Sequence, residues 1–475
     1  MEVLNRVSDA PPWSTLLSWS MRRHRISAVR PASRDPRRAV RSAAVLFAVI
    51  GVLFGSWASV IPAVSARVQA DHAQLGVALL GMAIGALAGM QVGGRSSSRW
   101  GPGRAGVTGV ALASLAVALP GAAGSLMSLC IALFLFGAAA GGANVAVNAL
   151  GVELQRSSGR PLMSMLHAGF SFGGLAGASL GGLAAGALPP SAHLLLIGGA
   201  GLAFTCAQHR TLAAFTAKAV PEPLPGSGER AAPVPPPSPL VLVLGAVAAC
   251  TAVAEGAVSD WGSLHLRETL GSSPGTAAMG FAVFSLAMGS ARLVGRRLVS
   301  RFGDTRVLIR GAALGTAGML IAALAPTPPI ALVGFLLAGA GTANVFPLAI
   351  GRAGLLGGTR GVARASTVGY AGLLGGPPIV GALAEAWGLR GALLAVAAVV
   401  LSVGGLAAAV DAALRTGRRS VAKAPLLGTR ARLGALARAG ERSLRAHADS
   451  LRALVEETER SIGGGPRPIS GTFAR

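Results

Sequence analysis

The chain has 475 residues, of which 52% are hydrophobic and only 13% are charged, and its mean hydropathy is +0.60. This balance excludes an ordinary soluble globular domain and indicates a membrane protein. In a soluble chain, the net charge of +24 would favour a nucleic-acid partner. The hydropathy excludes that class, and we expect no nucleic acid to bind.

Apolar runs of spanning length predict twelve transmembrane helices. A basic arm, residues 1–40, precedes the first of them and is expected to be disordered. In chain order, the helices are predicted near 43–62, 75–93, 104–122, 126–149, 163–187, 192–208, 240–262, 275–296, 307–325, 328–350, 364–385 and 389–410.

Two other segments do not cross the membrane in this interpretation. Residues 209–239 are rich in proline and are predicted to form a cytoplasmic linker. Residues 412–475 form a basic cytoplasmic tail in which Leu444, Leu451 and Val455 fall on one helical face. This spacing predicts an amphipathic helix on an anionic membrane surface, with a solvated segment as the equal alternative.

The sequence is internally duplicated. The tetrapeptide SRWG at Ser98–Gly101 returns as SRFG at Ser300–Gly303, and Trp57 aligns with Trp261 at nearly the same offset. Each copy contains six apolar runs. We therefore predict an all-α membrane protein with two pseudo-symmetric six-helix halves, 41–208 and 240–411, and a substrate site between them near the bilayer midplane.

Lysine and arginine predict the orientation. The loops after even-numbered helices are rich in basic residues, whereas the loops after odd-numbered helices contain only Arg67, Arg267 and Arg390. By the positive-inside rule, both termini are expected in the cytoplasm, with the chain spanning the plasma or inner membrane.

A repeated loop motif carries a family resemblance. Residues 41–411 resemble the major facilitator superfamily, and the stretch GGANVAVN from Gly141 is similar to its fucose-permease-like, YbjJ-like inner-membrane branch. The resemblance implies alternating access and a cytoplasmic gate motif that works through charge pairs. In both copies a serine replaces the motif's acid, and the matching positions are Gly94, Arg99, Gly101 and Arg104, then Gly295, Arg301 and Gly303.

Polar side chains inside apolar helices are the candidate functional residues, because an ionisable group in hydrocarbon is costly. Glu255 lies about 22 Å from the cytoplasmic end of predicted helix 7, just past the midplane. It is our candidate for binding a proton or the substrate, with a structural carboxyl as the alternative.

Asp260 is expected at the outer rim or gate. Trp261 is expected in the interfacial aromatic belt, with stacking on a sugar as the alternative. Arg292 lies about one turn from the cytoplasmic end of predicted helix 8, so we expect it to snorkel there and not to pair with Glu255.

Amides and two ring side chains complete the candidate set. Asn144 and Asn148 share a face of predicted helix 4, and Asn344 is the repeat partner of Asn144. Buried amides suit the hydroxyls of polar solutes but also join helices; we predict that Asn144 and Asn344 line the cavity. His167 is a candidate proton relay or gate residue, with a structural hydrogen-bonding role as the alternative. Its repeat partner Tyr370 indicates a polar position.

These features predict a secondary active transporter, not an enzyme. The sequence has no Walker A motif, no catalytic Cys/His context and no metal-ligand spacing, so we expect no cofactor and no metal. The preferred function is proton symport of a small polar solute such as a sugar-like compound, by a monomer in the lipid bilayer. The alternatives are a drug or metabolite efflux antiporter and, in another class, a non-transporting membrane sensor or scaffold with the same fold.

Overall fold

The structure is a computed structural model, and it describes residues 36–160, 162–213 and 239–423. Over these ranges the chain is almost entirely helical. The part of the predicted arm before Pro36, most of the predicted linker (214–238) and the segment predicted to be amphipathic around Leu444 lie outside the described residues.

The predicted twelve-helix, all-α membrane fold is confirmed. In the N-terminal half, helices α1 to α6 span Pro36–Val68, His72–Trp100, Pro102–Ala116 continued by Ala118–Gly121, Leu126–Ser158, Met163–Ala184 and Pro190–Ala213. In the C-terminal half, helices α7 to α10 begin with Pro239–Leu264, Pro274–Phe302, Asp304–Leu324 and Pro328–Thr342. A π-helical turn, His265–Thr269, follows α7.

The rest of the described chain is helical over Val345–Lys423, with two interruptions. Gly358 and Gly388 have φ of 58° and 71°, a backbone conformation that favours glycine. They divide the run into the end of α10 (345–357), α11 (359–387) and α12 (389–423).

Hydropathy marks eleven of the twelve helices in the structure. Ten segments of the described residues are long and apolar enough to cross a membrane. One of them, Arg360–Leu414, contains both α11 and α12. Helix α5 is not among the ten, because its glycines and serines lower its hydropathy; those same small residues allow close helix contacts.

The two halves repeat one joint between helices. Gly101 alone separates α2 from α3, with φ of 83° and ψ of 150°, and Gly303 separates α8 from α9 with φ of 79° and ψ of 156°. Only glycine adopts this region at low cost. The repeated motif therefore makes the same tight turn in each half.

Several helices continue beyond their apolar runs. Helix α8 reaches Phe302 rather than the predicted residue 296, because no proline interrupts GRRLVSRF and the first positive-φ glycine is Gly303. Helix α4 likewise continues to Ser158 and ends at Gly159, which has φ of 65°. The extension of α8 matters for the functional site, because it moves Arg292 away from the end of its helix.

The halves meet at what we call the far end of the bundle, where α1 and α7 finish and α2 and α8 begin. There the Ser263 hydroxyl donates to the Ala58 carbonyl at 3.1 Å. Helices α5 and α8 also approach closely at this end: a Cβ on Gly182 would lie 3.1 Å from the Gly275 carbonyl. At the opposite, near end, a Cβ on Gly94 of α2 would meet nothing within 4 Å. Contacts between the halves therefore close the far end.

Candidate functional site

An ion pair joins α7 and α8 inside the bundle. Arg292 Nη2 lies 2.8 Å from Glu255 Oε1. The expectation that depth keeps these groups apart is wrong. Because α8 ends at Phe302, Arg292 lies about 15 Å from that end, and Glu255 lies about 24 Å from the start of α7. The two long side chains span the remaining difference.

The guanidinium of Arg292 contacts three helices besides its own. Its Nη1 donates to Ser171 Oγ of α5 at 3.2 Å, and its Nε donates to the Ala343 carbonyl of α10 at 3.3 Å. Its side chain is 14% exposed, whereas that of Glu255 is 36% exposed. Arg292 therefore does not snorkel; it is held by an acid and two neutral acceptors, which makes a charge tolerable at this depth.

A proline explains why the Ala343 carbonyl is available to Arg292. In a regular helix that carbonyl would accept from the residue four positions later, which is Pro347 and has no N–H. Helix α10 is interrupted at this point, between Thr342 and Val345. The donor that the proline lacks is replaced by Arg292, so the break in α10 and the charged site form one local structure.

Asn344 lies beside this break but joins helices rather than facing open space. Its Nδ2 donates to the Ala291 carbonyl of α8 at 3.2 Å, and its Oδ1 packs against Gly295. Gly295 is thus the motif glycine that allows Asn344 to approach α8. The amide positions α10 next to Arg292.

The other polar candidates lie on three helices. On α4, Asn148 Nδ2 donates to the backbone carbonyl of Asn144 at 2.8 Å and to its Oδ1 at 2.5 Å, and Asn144 is exposed.

On α5, the His167 ring packs edge-on against Phe47, with centroids 5.3 Å apart, and the His167 carbonyl accepts from Ser171 Oγ at 3.3 Å. His167 is therefore one turn from the serine that binds the Arg292 guanidinium. On α11, Tyr370 is half-buried and is not brought to the ion pair by any hydrogen bond among the described residues.

One expectation about the far end of α7, that Trp261 lies in the interfacial aromatic belt, is wrong. Asp260 lies at this end as well; it is only 6% exposed, and its Oδ1 accepts from Ser259 Oγ at 2.9 Å. Trp261 is fully buried, with its ring 6.2 Å from that of His72 and against Gly381 of α11. It packs between the halves and does not face lipid, because α2 and α11 cover it at the closed end.

A cluster at the far end was not found from the sequence. His72, the first residue of α2, binds Glu268 Oε2 through Nε2 at 2.9 Å, and its Nδ1 lies 3.5 Å from Glu385 Oε2. Its backbone N–H also donates to Glu385 at 3.3 Å. Asp71 caps α2 and fixes this start. Because the three residues come from both halves, no local pattern could have joined them.

The cytoplasmic gate motif forms its tight glycine turn in both halves, but among the described residues its arginines do not form the charge pairs that the family resemblance implies. Arg99, Arg104 and Arg301 are exposed, and within the described ranges no ion pair joins them to an acid. The serines in the acid's position bond to their own helices, Ser98 to the Arg95 carbonyl and Ser300 to the Arg297 carbonyl. In the C-terminal half an acid stands four residues after Ser300: Asp304 lies 4.0 Å from Arg352 of α10.

Comparison with known proteins identifies the class. A family model described as Major Facilitator Superfamily matches residues 242–445. The chain is 33% identical over 374 residues to an uncharacterised MFS-type transporter of Yersinia pestis, covering 78% of this chain and 95% of that protein. It is 33% identical to the uncharacterised transporter y4wD of Sinorhizobium fredii, covering 76% of this chain and 97% of that protein. It is also 30% identical to the membrane protein MosC of Rhizobium meliloti, covering 76% and 87%.

Solved structures agree on the fold. A mutant of the nucleoside transporter NupG superposes with a TM-score of 0.63 at 13% identity, covering 78% of this chain and 99% of that one. A bacterial homologue of the lysosomal transporter Spinster, in an inward-facing conformation, gives 0.59 at 15% identity, covering 80% and 97%. The chain belongs to the major facilitator superfamily and is a multi-pass membrane protein of the secondary transporter class.

Proposed function

We propose that this protein moves a small polar solute across the membrane by alternating access, and that protons drive it through Glu255. The observation that carries the proposal is the ion pair of Glu255 with Arg292, which lies between helices of the C-terminal half and is hydrogen-bonded to α5 of the N-terminal half. An ionisable side chain inside an apolar bundle is a candidate functional residue by default, and a carboxylate is able to take up a proton.

The contacts suggest how protonation of Glu255 would change the hydrogen bonding between the halves. A proton on Glu255 Oε1 removes the charge that holds Arg292 Nη2. The guanidinium then keeps only the Ser171 hydroxyl and the Ala343 carbonyl, two neutral acceptors on different halves. Because hydrogen bonds between charged groups are stronger than those to neutral acceptors, loss of the pair shifts Arg292 toward these contacts and so changes the bond between the halves.

The polar solute is proposed to bind near the same residues. Glu255 is the more exposed partner of the ion pair, and Asn144 presents an exposed amide on α4. Carboxylate and amide oxygens accept from hydroxyl groups, which suits a hydroxyl-bearing solute such as a sugar-like compound. The direction of transport follows from coupling: symport imports the solute with the proton, and antiport exports it.

Transport in proteoliposomes tests the proposal. A panel of sugars, polyols, amino compounds and lipophilic drugs is assayed with and without a pH gradient. Glu255→Gln keeps the shape and removes titration, so we expect it to abolish pH-driven accumulation while some downhill exchange remains. Glu153→Gln is the matched control, because it makes the same substitution at an acid on another helix, α4. If Glu255→Gln accumulates solute uphill like the parent, the proton role is not at Glu255, and His167 is tested next.

We also propose that the near end faces the cytoplasm, in the plasma or inner membrane, and that the monomer is the working unit. The distribution of basic residues supports this orientation. The far end, closed by contacts between the halves, is then the external side, and the structure corresponds to an externally closed state. Solute binding without flux in the same vesicles would favour a sensor instead.

A further inference from the structure

A cavity of about 430 Å³ lies at the far end of the bundle and shares no residue with the Glu255 site. Its walls come from both halves: α1, α5 and α6 on one side, and the π-helical turn and the start of α8 on the other. Its volume falls within the usual range for small-molecule sites. The polar side chains in its lining are Ser59, His193, Arg267 and Glu268.

His193 has an unused polar atom at this cavity. The residue is 4% exposed, and its Nε2 has no hydrogen-bond partner among the described residues. The ring nitrogen lies 3.3 Å from the position that a Cβ on Gly181 would take, a point that Ser59 also approaches closely. Buried ring nitrogens usually have a partner, so a polar ligand group that reached this nitrogen would satisfy it.

The electrostatics of the cavity favour an anion. Arg267 Nη1 donates to the Ser272 carbonyl at 2.7 Å, and its guanidinium pairs with no acid among the described residues. Pro190 and Pro274, the first residues of α6 and α8, also line the cavity, so the positive ends of two long helices lie at it.

One acid lines the cavity, and one of its oxygens is hydrogen-bonded. Glu268 Oε2 is bound by His72 at 2.9 Å. The remaining lining is apolar, including Val60, Pro62 and Leu188. These features match a carboxylate carried on a small apolar group. Arg267, the His193 ring nitrogen and the two helix N-termini suit the carboxylate, and the apolar wall suits the group that carries it.

We propose that this cavity binds a small organic anion, with its carboxylate on Arg267 and His193 and its apolar part against Val60, Pro62 and Leu188. Arginine binds carboxylates through two parallel hydrogen bonds, which gives both affinity and orientation. The site is independent of the transport proposal, because its residues and ligand charge differ from those at Glu255.

Binding of benzoate to the purified full chain in detergent tests the site. Benzamide has the same size and shape without the charge. We expect benzoate to raise Tm in a concentration-dependent way and to bind at least about tenfold more tightly than benzamide, as a charge-assisted pair predicts. Arg267→Gln should remove that difference. Ala63→Phe, which fills the cavity and changes no polar group, should abolish benzoate binding.

Glu255→Gln is the control that separates the two sites, and we expect it to bind benzoate like the parent. Equal binding of benzoate and benzamide would overturn the proposal, as would parental benzoate affinity in Ala63→Phe. Loss of benzoate binding in Glu255→Gln would also overturn it, since the anion would then occupy the central site. If Arg267→Gln does not purify in folded form, the Ala63→Phe comparison still decides.

Discussion

Arg292 of α8 donates through Nη1 to Ser171 of α5 at 3.2 Å, so the cation that pairs with Glu255 is hydrogen-bonded to the other half of the molecule. The Glu255 carboxylate, its counter-ion and the interface between the halves are thus consecutive parts of one network. In this arrangement, a change in charge at Glu255 changes a bond that joins the halves.

Replacing Arg292 alone should destabilise the fold more than replacing Arg292 and Glu255 together. Arg292→Gln leaves Glu255 unpaired and the Ala343 carbonyl without its donor, and we expect a loss of about 1–3 kcal/mol. Adding Glu255→Gln should restore part of that loss, because the unpaired acid is gone. Thermal unfolding of the four proteins of this cycle in detergent measures the coupling; strictly additive effects would show that the ion pair does not contribute.

Gly101 and Gly303 of the repeated motif should not tolerate alanine, because of their backbone conformation. Gly101→Ala and Gly303→Ala each place a side chain at positive φ with ψ near 150°, which costs about 1–3 kcal/mol. Gly94→Ala is the matched control in the same motif, because it is helical and its Cβ meets nothing within 4 Å; it should be neutral or slightly stabilising. Unfolding temperatures rank the three, and equal losses would contradict the backbone explanation.

The His72 cluster should keep the far end closed. His72→Gln removes the ring that binds Glu268 and Glu385, so we expect a cysteine at the buried position Ser263 to react faster with an impermeant maleimide. Asp71→Asn is the control, because asparagine caps a helix as well as aspartate does and His72 stays in place. An unchanged rate in His72→Gln would mean that the helix contacts alone close this end.

The orientation can be checked with single cysteines on opposite faces. Gly226 lies in the predicted linker, and Thr327 is the residue before α10. In intact cells, an impermeant maleimide should label Thr327→Cys and should reach Gly226→Cys only after the membrane is permeabilised. Labelling of Gly226→Cys alone would reverse the orientation.

The architecture of the protein was predictable from its amino-acid sequence. Apolar runs of spanning length predicted all twelve helices, including α5, whose small residues lower its hydropathy. The repeat of Ser98–Gly101 at Ser300–Gly303 predicted the two halves, and the structure gives both glycines the same positive φ. Such features are local or periodic, and they are therefore readable without coordinates.

Which polar residues meet became clear from the packing of the helices. When depth was counted along each predicted helix separately, Arg292 was expected to lie far from Glu255. In the structure, α8 ends later than predicted and α10 is interrupted near Pro347, and the two side chains form an ion pair. The same holds for Trp261, an expected belt residue that α2 and α11 cover. Helix ends, side-chain reach and the packing of one half on the other are set by contacts between residues far apart in the chain, and a single helix does not encode them.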